Sequence, residues 1–283
     1  MQELNGKVAV ITGGGSGIGR AMALAFAEEG MDIAIGDIES SSGETVAEEI
    51  RSMGRQSIAV TCDVTNLDSV RGLVEATKTG LGGIHVVCNN AGVVAGKPTP
   101  ELSEADWSWV LDVDLNGVVN GVLAFLPELV AQNEGHFVNT ASIAGLIPLA
   151  APGVISYTTA KYGVVGITET LHEELRPLGI GASVLCPGVV NTRIGESARN
   201  RPKAAGGPPT EPIPAIELAP GTEMPRIVGA NVQEPPAIAA RVVEAVKAND
   251  LYIVTHPETR EAVEDRFTAI MAAYDKLESS LNK

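Results

Sequence analysis

Positive charge is scarce in this sequence: 20 Lys and Arg stand against 35 Asp and Glu, a net of -15 over 283 residues. The basic residues form no cluster, so a polyphosphate backbone would meet repulsion and nucleic acid is not expected as a partner. Cysteine is rarer still. The three present, Cys62, Cys88 and Cys186, cannot all pair, and each ends an apolar, strand-like run where a buried reduced thiol is the ordinary outcome. A reducing, cytoplasmic compartment is the expectation. The first residues, MQELNGKVAVITGGG, include an acidic residue at position 3, and their apolar run breaks into glycine too soon for a signal peptide. No other stretch has 18 uninterrupted apolar residues, so no membrane segment is expected. The four histidines are scattered without metal-ligand spacing, and no metal site is expected. Aromatic residues make up only 4%.

What the chain does have is a core-forming excess of Leu, Ile, Val and Ala, arranged as short apolar runs alternating with longer amphipathic stretches. KVAVIT, DIAIGD, SIAVTCD, IHVVCNN, HFVNTAS and GASVLCP are six such runs, and LYIVT after residue 250 is a seventh. Their continuous apolar character, without polar alternation, points to strands buried on both faces. The expected fold is α/β: a Rossmann-type doubly wound parallel sheet of about seven strands with helices on both faces, in one catalytic domain spanning the chain. Two long helices are expected over about 103–132 and 157–178. A stretch over about 198–236 holds nine of the 17 prolines. It follows the sixth strand at the ligand-binding edge of such sheets, which favours a lid over plain disorder. A proline-started helix from 235 and a helical extension over 257–281 complete the chain.

Thr12-Gly-Gly-Gly-Ser-Gly-Ile-Gly19 sits between an expected strand and an expected helix. Glycines suit a backbone that turns tightly and brings helix N-terminal N–H groups close to a pyrophosphate. Asp37 ends the second run about 20 residues on, where a carboxylate can accept from ribose hydroxyls and repel a 2'-phosphate. No cation comes from Ser16 or Ile38, so NAD is expected over NADP; Arg20 is the residue that could weaken that preference. Asp63 is placed to meet an adenine amino group. Asn89 is open to two readings, a clamp between strands or a cofactor contact. Tyr157 and Lys161 lie four apart at the start of a helix, on one face. A nearby ammonium favours the phenolate, and Ser142 can hold the same substrate oxygen.

Taken together, TGGGSGIG, NNAG, the upstream Ser142, Tyr157 with Lys161, and Pro187-Gly188 resemble the short-chain dehydrogenase/reductase family, from about residue 6 to 191. The resemblance implies catalytic roles for Ser142, Tyr157 and Lys161. It implies cofactor contacts at Gly13, Gly17 and Gly19, with Ser16, Ile18 and Asp37 alongside. Asp63, Val64 and Asn90 are implied at the adenosine side, and Pro187, Gly188, Val190 and Thr192 at the nicotinamide side. A homodimer or homotetramer built on the two long helices is a further implication.

Two departures from the family pattern stand out. Asp114 occupies the position of a helix Asn whose backbone carbonyl, in the family, holds a water that relays protons to the lysine; a carbonyl survives a change to Asp, so the resemblance implies Asp114 as a relay residue in catalysis. Asn116, about 200° away on a regular helix, reads as structural. The span between Ser142 and Tyr157 is also about two residues longer than usual and nearly all apolar, which implies a reshaped substrate pocket. The C-terminal part resembles the branch containing bacterial Cα-dehydrogenases of lignin-derived aryl ethers. The expected function is hydride transfer between NAD and a secondary alcohol or ketone, on an apolar or aromatic substrate such as a benzylic alcohol. The alternatives are a steroid or other ketone reductase of the same family, or a non-catalytic dinucleotide-binding regulator.

Overall fold

All seven apolar runs form strands of one parallel sheet, in the order 3-2-1-4-5-6-7. A computed structural model describes residues 1–149, 154–208 and 231–281. In chain order the elements are β1 (Val8–Thr12), α1 (Gly17–Glu28), β2 (Asp32–Asp37), α2 (Ser40–Ser52), β3 (Ser57–Thr61), α3 (Leu67–Leu81) and β4 (Val86–Asn89). Then follow α4 (Glu104–Leu111), α5 (Gly117–Gln132), β5 (Gly135–Thr140), α6 (Ile155–Leu175), β6 (Ile180–Cys186), α7 (Pro235–Ala248), β7 (Tyr252–Val254) and α8 (Arg260–Leu281).

Successive strand residues feed opposite faces of the sheet. Ile11, Ile33, Ile35 and Val138 pack with Met22 and Phe26 of α1 and Ile238, Val242 and Val246 of α7. Val10, Ala34, Val87 and Phe137 pack with Leu73 of α3, Phe125 and Leu129 of α5 and Leu171 of α6. Strands with both faces covered therefore carry no polar alternation; the exposed positions fall on the edge strands β3 and β7. β1 pairs with both β2 and β4. The connections diverge there, which opens a crevice beyond the carboxyl ends of the strands.

The expected helix over 103–132 is interrupted. Its start is sharp, a capping box in which Ser103 and Asp106 bond reciprocally to each other's backbone N–H. Between α4 and α5, however, Asp112–Asn116 forms a π turn. Such an inserted turn shifts the register of everything before it, and it delivers Asp114 to the interior while Asn116 stays exposed and donates to Asp112 at 3.0 Å. This stretch reaches a mean hydropathy of 1.4, yet much of it faces outward, with Leu123 and Val130 among the exposed side chains.

α7 begins at Pro235, where the proline-started helix is expected. Residues 194–200 and 203–205 form short 3-10 turns, and 209–230, the greater part of the expected lid, lie outside the described residues. Residues 150–153 of the long span before Tyr157 do as well. α8 buries none of its residues.

Candidate active site

A cleft of about 640 Å³ runs across the carboxyl edge of the sheet. Gly13, Ser16, Gly17, Ile18, Asp37, Asp63, Val64 and Asn90 line one part of it. Ser142, Tyr157, Lys161, Pro187, Gly188, Val190 and Thr192 line the rest. Of the expected site residues, Gly19 and Asp114 alone do not reach its surface. Both lie just behind it.

The glycine turn has the tight backbone form the sequence suggests. Gly13 and Gly17 have φ of 62° and 53°, the left-handed region that glycine enters without strain. At Gly19 an added Cβ would meet the Gly13 carbonyl oxygen at 2.1 Å, so helix α1 can start here only without a side chain. Asp37 closes the turn from the other side, accepting the Gly15 N–H at 2.8 Å and the Glu39 N–H at 2.9 Å. Burial pushes the Asp37 carboxyl up, against the two backbone donors that favour its ionised form. Arg20 is turned away and pairs with Glu49.

Asp63 lies two residues beyond the end of β3, and its Oδ1 accepts from the Thr65 N–H and hydroxyl at 3.0 and 2.8 Å. Between the two readings of Asn89 the structure decides for the clamp: its amide donates to Asn139 at 2.9 Å, and Asn139 donates in turn to Thr168 at 3.0 Å. Asn90 joins three strand ends, with its N–H on the Thr12 hydroxyl at 2.9 Å and its side chain donating to the Thr12 carbonyl and accepting from Thr140.

Helix α6 brings Tyr157 and Lys161 to one face, the Lys161 ammonium lying 5.3 Å from the centroid of the Tyr157 ring. Lys161 is almost wholly buried and donates to the Thr140 carbonyl at 3.0 Å. Its other partner is the surprise of the site. The π turn aims the Asp114 carboxylate at the ammonium, Nζ to Oδ2 3.1 Å, while Oδ1 accepts the Val93 N–H at 2.7 Å. The contact at this position is thus made by the side chain, an ion pair out of reach of solvent.

This pair sets the electrostatics. Burial alone would depress Lys161, but Asp114 and Tyr157 outweigh it and hold the ammonium above its ordinary value. Burial pushes Asp114 up, opposed by Lys161 and the Val93 N–H. Tyr157 is also pushed up, first by burial; Lys161 and a hydrogen bond with Ser142 pull it down, and Asp114 pushes it further up. The lysine therefore favours the phenolate, and the adjacent carboxylate opposes that help.

Several residues at the cleft were not singled out from the sequence. Glu39, at the rim beside Asp37, receives Arg199 at 2.6 Å and Asn200 at 2.7 Å. The 3-10 segment after β6 is thereby strapped over the Asp37 end of the cleft. Beyond Tyr157 the wall is apolar: Val93, Trp109 and Val113 line it. Of the two tryptophans only Trp109 is there, as expected for residues on opposite sides of a helix. Arg201 stacks over Trp109 at 5.3 Å and pairs at 2.6 Å with the buried Asp106, which also takes Lys97 at 3.0 Å. Despite burial, the Ser103, Lys97 and Arg201 donors hold the Asp106 carboxyl far below the ordinary carboxylate range. Among the described residues, no group of His, Cys, Asp and Glu could hold a metal. Cys62, Cys88 and Cys186 are all buried free thiols.

Comparison with known proteins agrees with this geometry. The family model for short chain dehydrogenase matches residues 7–203. A CLA biosynthesis dehydrogenase/reductase of Lactiplantibacillus plantarum is 33% identical over 275 residues, covering 96% of this chain and 95% of that protein. A C alpha-dehydrogenase of Sphingobium sp. SYK-6 is 28% identical over 281 residues, covering 99% and 90%. Among solved structures, a short chain dehydrogenase/reductase from Burkholderia phymatum in complex with NAD superposes with a TM-score of 0.84 at 37% identity, covering 96% of this chain and 97% of that one. With the family model matched over most of the chain and a full-length relative at 33% identity, the chain belongs to the short-chain dehydrogenase/reductase family of oxidoreductases.

Proposed function

We propose that this enzyme oxidises a secondary alcohol with NAD, on an apolar or aromatic substrate of the benzylic type. The observation that carries the substrate class is the wall beside Tyr157, which Val93, Trp109 and Val113 make apolar. The Cα-dehydrogenase among the relatives supports the same reading.

For the cofactor, Asp37 and Glu39 put two carboxylates at the ribose end. Arg193 and Arg199 also line the cleft, but each is engaged, with Glu196 and Glu39 respectively. A 2'-phosphate about 4 Å from one carboxylate would be opposed by about 4 kcal/mol at an effective dielectric near 20. NAD is therefore expected to exceed NADP by at least about a hundredfold in kcat/KM.

NAD bound in the cleft would supply the acceptor for the hydride of the carbinol carbon. Tyr157 takes the hydroxyl proton, and Ser142 donates a hydrogen bond to the same oxygen and fixes its place. Lys161 supplies positive charge behind the phenol. Asp114 anchors Lys161 and moderates that charge.

The moderation has a readable consequence. Oxidation requires the phenolate, so its rate rises with pH through the Tyr157 transition. In Asp114→Asn the neutral amide no longer opposes Lys161, and the midpoint of the pH–kcat profile for alcohol oxidation is expected at lower pH than in the wild type. A midpoint that stays put or moves up would remove Asp114 from this role.

The test of the whole reading is a panel of aryl benzylic, aliphatic and steroid alcohols assayed with NAD and NADP through the reduced-nicotinamide absorbance. Fast benzylic oxidation with NAD is expected. Ready turnover of steroid or aliphatic alcohols with none of the benzylic panel would favour the ketone-reductase reading; nucleotide binding with no turnover of any alcohol would favour a regulator. The outward apolar side chains of α5 and α6, Leu123, Val130 and Ile155, support assembly into a homodimer or homotetramer.

A further inference from the structure

His256, one of the scattered histidines, is buried at 3% exposure just past β7, behind the segment that follows β6. Its ring meets four polar atoms. At Nδ1 two donors converge, the Gly188 N–H at 3.0 Å and the Thr255 hydroxyl at 2.7 Å. At Nε2 two acceptors converge, the carbonyls of Val189 and Asn231, each at 3.1 Å. Only a neutral ring with its hydrogen on Nε2 satisfies all four. The fit is close: a Cβ at Gly188 would stand 2.7 Å from the His256 Cγ, so the glycine is what lets the imidazole lie against the backbone.

The atoms held are those that matter for the cleft. Pro187, Gly188, Val189 and Val190 line it, and the Pro187 carbonyl accepts the Ile143 N–H at 2.8 Å, next to Ser142. From the outer side Gln233 donates its N–H to the Val189 carbonyl at 3.0 Å and accepts the Asn191 N–H at 2.9 Å. The segment thus lies between the catalytic strand end and a backing made of His256 and Gln233.

We infer that His256 is a positioning residue for the nicotinamide half of the cofactor, acting through the Gly188 N–H and the Val189 carbonyl. It touches neither cofactor nor substrate. The inference rests on the proposed use of NAD and adds a residue that sets the shape of its site. Removing the Nδ1 acceptor leaves the N–H of the half-buried Gly188 without its partner, a loss large enough to let the segment shift.

The experiment compares NAD with ADP-ribose, which shares the adenosine and pyrophosphate but lacks the nicotinamide. His256→Leu removes both ring nitrogens. His256→Gln keeps a donor near Nε2 but no acceptor near Nδ1, and His256→Asn keeps an acceptor near Nδ1. Equilibrium binding to the full chain is expected to weaken about tenfold for NAD in the Leu and Gln variants. ADP-ribose affinity is expected to stay within about twofold in both, and His256→Asn is expected to keep most of the NAD affinity. If the Leu variant does not fold, the contrast between Gln and Asn carries the test alone. Equal losses for both ligands, an unchanged NAD affinity, or an Asn variant as weak as the Gln variant would each overturn the inference while leaving the proposed function standing. A wild-type chain that binds neither ligand would overturn the proposed function, and this inference with it.

Discussion

Tyr157→Phe abolishes turnover and leaves dinucleotide binding intact. The substitution removes one hydroxyl and keeps the ring, so the stacking of Lys161 at 5.3 Å survives and so does the packing at the start of α6. What disappears is a cleft hydroxyl that is both near Ser142 and influenced by a buried ammonium. Ser142 cannot take its place, since its hydroxyl accepts from Ala144 at 3.1 Å and faces no base of its own. Positioned acid–base groups contribute about 10²–10⁴ in rate, so kcat should fall by at least about a hundredfold and toward the detection limit. The measurement pairs kcat for the best alcohol with NAD affinity by equilibrium binding. Activity within about tenfold of the wild type would remove Tyr157 from the proton transfer.

How much of this was readable from the sequence depends on how local each feature is. The strands were legible because burial on both faces imposes continuous Val and Ile, as in VAVIT of β1 and IGASVLC of β6. The glycine turn was legible because Gly13, Gly17 and Gly19 answer to steric demands within a few residues. Tyr157 and Lys161 share a helix face by spacing alone.

What was missed is either a single-residue irregularity or a long-range contact. The π turn at Asp112–Asn116 leaves the apolar periodicity of α4 and α5 almost unchanged, so nothing local announces that Asp114 points inward. Its one signal was the departure of Asp114 from the family pattern that the sequence resembles. Glu39 meets Arg199 across 160 positions, His256 meets Gly188 across 68, and Arg201 meets Asp106 from the proline-rich stretch expected as a lid. Chain crossings of that length are made by the sheet order, and sequence spacing does not encode which side chains face each other there.

The ion pair behind the site gives the second large effect. Lys161→Met keeps length and apolar bulk but strands the Asp114 carboxylate, which has no exposure and retains only the Val93 N–H as a donor. Breaking one side of a buried pair costs about 3–5 kcal/mol of stability, far more than a surface pair of the same geometry. Asp114 can escape part of that cost by binding a proton. Burial already raises it, and Lys161 is the strongest influence pulling it down. In the variant its folded-state pKa therefore lies still further above that of the unfolded chain, and between the two values the folded state holds a proton that the unfolded state has lost. Stability then falls as pH rises through that window, so the deficit relative to the wild type is smallest in acid and largest at neutral to alkaline pH. Urea unfolding at about pH 5 and about pH 8 reads this directly. The double variant Asp114→Leu with Lys161→Met removes both charges, and replacement of a buried pair by apolar side chains is near neutral, so it should recover most of the stability while remaining inactive. A single variant as stable as the wild type at both pH values would mean that Asp114 and Lys161 do not form this pair in solution. A double variant no more stable than the single one would place the loss in packing rather than charge.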